Sequence, residues 1–123
     1  MLHFHDKAQH AVFKINSFEK TFQQARKGDV IYCDPPYVPL SPSANFTSYA
    51  AGGFSQAQQE LLATLATAAA SNGVPVLLSN HNTPFTRRTY QDASKIKKFH
   101  VQRYISCNGN KRNNAGELLA LFK

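Results

Sequence analysis

With 123 residues, 42% hydrophobic and 17% charged, the chain has the composition of an ordinary globular protein rather than a disordered or fibrous one. Domains of roughly 100–150 residues are common, so a single domain over residues 1–123 with one core is expected. Its formal net charge of +7 points toward a polyanionic partner. The absence of a charged leader and of any apolar run near roughly 18 residues speaks against secretion and membrane insertion.

In chain order, Ala11–Ile15 is a short β-prone run. Phe18, Phe22 and Ala25 then fall on one helical face, with Ser17 at the N-cap position and Lys27-Gly28-Asp29 closing the helix. Val30–Cys33 is apolar without polar alternation, the pattern of a strand covered on both faces, and it stops abruptly at Asp34-Pro35-Pro36-Tyr37. Residues 38–53, rich in Pro, Ser, Ala and Gly, read as a long loop, which compact domains rarely keep without a use.

Ser55 caps the next expected helix. Its apolar face is Leu61, Leu62, Leu65 and Ala69, and Asn72-Gly73 ends it. Pro75–Ser79 is the next buried strand, followed by a loop through Asn80-His81-Asn82. Thr83 as cap and Pro84 at the first helical position start a short helix that should run to about Ala93. Lys98–Ile105 and Leu118–Phe122 are two further strands around a polar loop containing Asn108-Gly109-Asn110. Alternating strands and helices imply an α/β fold with parallel strands, and the last two strands, with no helix between them, imply an antiparallel hairpin at one edge. Ligands of such sheets bind beyond the carboxyl ends of the strands, where the polar motifs after Cys33 and after Ser79 both lie.

The tetrapeptide Asp34-Pro35-Pro36-Tyr37 carries the chemistry. Proline fixes its own φ and pushes the preceding residue out of the helical region, so two in a row make a stiff projection. The Asp34 carboxylate and the Pro35 carbonyl then stand as two acceptors in fixed positions. An exocyclic amine such as adenine N6 has two N–H donors and a lone pair delocalised into its ring. Holding both hydrogens favours a pyramidal nitrogen with its lone pair aimed at an electrophilic methyl group, which is orientation and electrostatic preorganisation rather than covalent catalysis. Tyr37 would stack on the base.

The positive charge is concentrated. Eight basic residues and one acid, Asp92, lie between Arg87 and Arg112 and account for the whole excess, as a phosphate-binding surface requires. Arg87, Arg88, Lys111 and Arg112 are candidate phosphate contacts, which position a protein on DNA without reading its sequence. Cys33 and Cys107 have neither zinc nor disulfide spacing, so reduced thiols and no metal are expected.

Taken together in order, VIYCDPPYVPL, ANFTSY, PVLLSNH and ISCNGNKR with ELLALF resemble the C-terminal half of Dam-type DNA adenine-N6 methyltransferases over nearly the whole chain. The resemblance implies a partial Rossmann-like S-adenosylmethionine-dependent methyltransferase fold. It further implies transfer of a methyl group to N6 of adenine in double-stranded DNA, at GATC, after base flipping. It assigns Asp34, Pro35, Pro36 and Tyr37 to the active site and Asp34 also to the donor. Ser17 and Phe18 become donor contacts, Phe18 being equally readable as core, and Asn45, Phe46, Thr47 and Tyr49 a cover near the flipped base and DNA strand.

The family's glycine-containing FxGxG donor loop, its ribose-binding acid and its target-recognition domain have no counterpart in this sequence. The expectation is a cytoplasmic or nucleoid-associated fragment, inactive alone and completed by an N-terminal half. Two other readings stay open: methylation of RNA or another amine, for which the tetrapeptide is also used, and a noncatalytic nucleic-acid-binding remnant.

Overall fold

The computed structural model describes residues 7, 9–40, 54–102 and 114–123. They form helix α1 (Phe18–Gln24), strand β1 (Ile31–Cys33), helix α2 (Gln56–Ser71), strand β2 (Val76–His81), helix α3 (Pro84–Thr89), and strands β3 (Lys95–Gln102) and β4 (Asn114–Phe122). The fold is α/β with a mixed four-stranded sheet in the order β1-β2-β4-β3. β1 and β2 are parallel, Ile31 opposite Val76, and are joined by the crossover through α2. β4 runs antiparallel to both neighbours, with Val76 opposite Phe122 and Lys95 opposite Leu121, so the expected terminal hairpin is present.

The expected caps form. The Ser17 side chain accepts from the Lys20 amide at 3.3 Å. Ser55 and Gln58 exchange two bonds in a capping box, as do Thr83 and Thr86. The Thr86 hydroxyl also donates to the His81 carbonyl at 2.7 Å, fastening the start of α3 to the end of β2. Gly73, at φ +84°, turns the chain out of α2 in a conformation that side-chain-bearing residues rarely adopt. α3 stops earlier than the sequence suggests, at Thr89, because the next residue, Tyr90, turns its ring into the core edge-on to Phe122, with centroids 6.3 Å apart.

The three described helices pack on one face of the sheet. That face carries Val76, Leu78, Leu118, Ala120 and Phe122, against Phe22 of α1, Leu62, Ala63 and Ala66 of α2, and Tyr90. The alanines let α2 approach closely. Its buried stripe is Gln59, Leu62, Ala63 and Ala66, with Leu61 exposed, so the stripe is rotated from the one the leucines suggest. The opposite face presents Tyr32, Leu77, Leu119 and Leu121 together with the exposed Lys95 and Lys97, and no described helix covers it.

Two strand expectations are corrected. Val30–Cys33 is not covered on both faces, since Tyr32 is 61% exposed and Val30 is 72% exposed. Ala11–Ile15 forms no strand; Val12, Phe13 and Ile15 stand exposed and no described strand pairs with them. β-prone residues become a strand only by pairing, and the free edge of β1 does not take them.

Burial pushes the Tyr90 phenol up to about 12, against an opposing hydrogen bond from Asn80, and pushes the Cys33 thiol up to about 11. Both groups lose their protons more readily in the unfolded chain, whose ordinary values are 10.0 and 9.0. Stability is therefore full below about pH 9 and falls as pH rises through the folded values. The Tyr90 share of that loss is about 3 kcal/mol. Urea unfolding between neutral and strongly alkaline pH should show the decline, and Tyr90→Phe should flatten its upper part.

Candidate active site

The two strand-end motifs meet at the carboxyl ends of the parallel pair. β1 ends at Cys33 and delivers Asp34 to solvent, while β2 delivers Ser79, Asn80 and His81 beside it. The Ser79 hydroxyl is 3.2 Å from Asp34 Oδ1 and 3.4 Å from the Cys33 carbonyl, and it accepts from the Tyr32 hydroxyl at 3.3 Å. With one hydrogen to give, Ser79 serves one acceptor at a time, and the carboxylate is the nearer. Asp34 is thereby oriented from below while its other oxygen, like the Pro35 carbonyl, receives no donor from any described residue.

Tyr37 is half-buried and packs edge-on against the His81 ring, with centroids 4.7 Å apart. Its phenol is held above the ordinary value by burial, opposed by a hydrogen bond with Ser79 and assisted by the nearby Glu117 and Asp34 charges. It therefore stays neutral and serves as a flat apolar ring with a polar tip. The peptide groups on both sides of Tyr37 are held: Gln59 Nε2 donates to the Pro36 carbonyl at 2.8 Å, and the Val38 amide donates to Asn80 Oδ1 at 2.9 Å.

On the other side of Asp34 lies a cavity of ≈ 270 Å³, bounded by Asn16, Phe18, Ile31, Asp34, Pro35 and Phe54 among others. Phe18 and Phe54 form a tilted pair with centroids 5.6 Å apart. Phe18 lines this cavity and also packs against the core. Ser17 uses its side-chain oxygen as the cap of α1, and Asn16 is the polar residue of that segment at the cavity.

The basic candidates separate in space. Arg87 Nη1 donates to Asn82 Oδ1 at 2.7 Å, which keeps it near the strand-end motif. Arg88 lines a groove between α2 and α3 with Glu60 and Asp92. Lys111, Arg112, Asn45, Phe46, Thr47, Tyr49 and Cys107 lie outside the described residues. Cys33, with its raised pKa, remains a thiol at neutral pH and is packing rather than a nucleophile. Among the described residues, no group of three or more His, Cys, Asp or Glu is placed to hold a metal ion, and no helix is long and apolar enough to cross a membrane.

Sequence reasoning missed Ser79 as the residue that orients Asp34. It also missed Gln59, whose signal was present: a glutamine at a core position of an otherwise apolar helical stripe.

Residues 1–105 match the family described as D12 class N6 adenine-specific DNA methyltransferase. The chain is 48% identical over 123 residues to the DNA adenine methylase of Salmonella typhi, covering 100% of this chain and 44% of the relative. It is 50% identical over 120 residues to that of Vibrio cholerae, covering 97% and 43%. With that of Escherichia coli K12 it shares 46% over 123 residues, covering 100% and 44%. It therefore spans less than half the length of these relatives.

Proposed function

Because this chain belongs to the D12 class of N6 adenine-specific DNA methyltransferases, we propose that it carries the amine-holding part of an enzyme that methylates adenine N6 in duplex DNA, at GATC, after flipping the base out of the helix. The observation that carries this reading is the pairing, at the carboxyl end of β1, of the Ser79-oriented Asp34 carboxylate with a Pro35 carbonyl that receives no donor from any described residue. Each accepts one N6 hydrogen, which holds the nitrogen's lone pair out of the ring plane, and Tyr37 supplies the surface on which the base stacks.

The lining of the cavity beside Asp34 suits one part of S-adenosylmethionine. The Phe18–Phe54 pair offers apolar walls for a flat purine, and Asp34 places negative charge beside a cationic sulfonium. Bound there, the donor supplies an electrophilic methyl group. The chain's own part is to orient the amine, exclude water from its apolar side with Tyr37 and Pro35, and keep Asp34 aligned through Ser79. Arg87 and Arg88, with Lys111 and Arg112, are assigned to DNA phosphates. The four strands correspond to part of a Rossmann-like sheet within one domain, working in the bacterial cytoplasm with its DNA.

The uncovered sheet face completes the proposal. A parallel pair is ordinarily covered on both faces, and Tyr32, Leu77, Leu119 and Leu121 leave apolar surface where a second layer belongs. We assign that layer, and most of the donor-binding and base-reading surface, to a polypeptide matching the N-terminal part of the relatives.

The test is transfer of labelled methyl from S-adenosylmethionine to GATC duplex, by this chain alone and with the N-terminal part of a relative added. Transfer only on complementation is the expected result. Turnover by the chain alone overturns the need for a second part, and associated halves that methylate no DNA overturn the substrate assignment.

A further inference from the structure

We propose that Gln59 and Asn80 are positioning residues, a buried amide relay that locks the two peptide planes flanking Tyr37 and so aims the Pro35 carbonyl at the substrate amine. The inference rests on the reading of Asp34–Tyr37 as the amine-holding motif, and it concerns what sets the geometry of that motif. Neither amide is offered to substrate: Gln59 is 1% exposed and Asn80 is 0% exposed.

The direction of every bond in the relay is fixed from one end. Asn80 Oδ1 accepts from two backbone amides, Val38 at 2.9 Å and His81 at 2.8 Å. Backbone N–H groups cannot act as acceptors, so the Asn80 carboxamide cannot be reversed without setting donors against donors. Its Nδ2 must then face the other way, where it donates to Gln59 Oε1 at 3.1 Å and to the Tyr90 hydroxyl at 2.9 Å. Gln59, with its oxygen committed, presents Nε2 to the Pro36 carbonyl at 2.8 Å.

The consequence lies in which groups are held. Fixing the Pro36 carbonyl sets the plane of the Pro36–Tyr37 peptide, and fixing the Val38 amide sets the plane of the Tyr37–Val38 peptide. The backbone of Tyr37 is thus determined from both sides, and with it the direction of its ring. The Pro36 ring holds φ near about −65°, so of the two torsions between the Pro35 carbonyl and the clamped Pro36–Tyr37 plane only Pro36 ψ is left to vary, and clamping that plane narrows the directions in which the Pro35 carbonyl points. Of the two proline carbonyls, Pro36's is occupied and Pro35's receives no donor from a described residue. Leucine at position 59 would extend the apolar stripe of Leu62, Ala63 and Ala66 at no desolvation cost, so packing alone gives no reason for a buried glutamine.

The test uses the intact chain with Gln59→Leu and Gln59→Glu, read by amide hydrogen exchange and by transfer kinetics in the complemented assembly. Gln59→Leu should lower the protection factor of the Val38 amide about tenfold, with β2 amides such as Leu78 unchanged. In the assembly it should lower kcat on the order of 10²-fold with KM for DNA unchanged, the mark of a misaimed group rather than a lost contact. Gln59→Glu adds a pH signature. The protonated carboxyl donates to the Pro36 carbonyl as the amide does, so Val38 protection is retained at low pH and falls as the carboxylate forms. This variant also serves if Gln59→Leu fails to fold.

Unchanged Val38 protection in Gln59→Leu, or protection in Gln59→Glu that ignores pH, overturns the relay. If the exchange results hold while the complemented wild type methylates nothing, the relay stands and the methyltransferase reading falls.

Discussion

Asp34→Ala, introduced into the complemented assembly, is expected to lower methyl transfer by at least about a thousandfold and to leave duplex affinity nearly unchanged. In the proposed reading the carboxylate is one of the two acceptors that hold the amine, and without it a single carbonyl must hold both hydrogens. The nitrogen lone pair then remains delocalised into the ring and the reacting atoms lose their alignment. In that assembly DNA affinity is expected to come mainly from the proposed phosphate contacts, which the substitution leaves in place. Asp34 is exposed and, among the described residues, its side chain bonds Ser79 alone, so folding should change by less than about 1 kcal/mol. Labelled-methyl transfer and DNA anisotropy on the same preparation read the two quantities. Transfer that survives the substitution would mean that the amine is held elsewhere.

Asn80→Ala is expected to act on the scaffold instead. It removes the partner of the Val38 and His81 amides, of Gln59 and of the Tyr90 hydroxyl at once, all at the boundary between β2 and the core. Buried polar groups left without partners cost far more than the net worth of the bonds they lose, and a loss of about 3–5 kcal/mol is expected. Urea unfolding of the isolated chain measures it. A loss below about 1 kcal/mol would mean that water enters and takes over Asn80's place. The two substitutions thus separate the residue proposed to meet the substrate from one that holds the frame around it.

Much of this was legible along the sequence, for reasons that are local. Ser17, Ser55 and Thr83 announced the three helix starts because a cap is a contact between residues a few positions apart. The strand-ending Asp34-Pro35-Pro36-Tyr37 was legible because proline stiffness belongs to the residue itself. What could not be read was set by partners distant in sequence. Ala11–Ile15 has strand-forming residues but no described neighbour to pair with, and Tyr32 sits in an apolar run yet faces the uncovered side of the sheet. The rotation of α2 that buries Gln59 and exposes Leu61 depends on Pro36 and Asn80, which approach from other elements. Likewise the single basic stretch read in one dimension is divided by the fold, Arg87 toward the strand ends and Arg88 into the groove between helices.

The position of β4 also bears on how the protein is made. β4 comes last in the sequence but lies between β2 and β3, so Phe122 pairs with Val76 and Leu121 with both Leu77 and Lys95. While the ribosome is still translating this segment, β2 and β3 have no common neighbour, and the Tyr90 ring lacks the Phe122 edge against which it closes. The nascent chain can form α2 and its caps early, but the sheet is assembled only after residue 122 clears the exit tunnel. Until then the apolar residues of β2 depend on whatever shields a growing polypeptide from its neighbours.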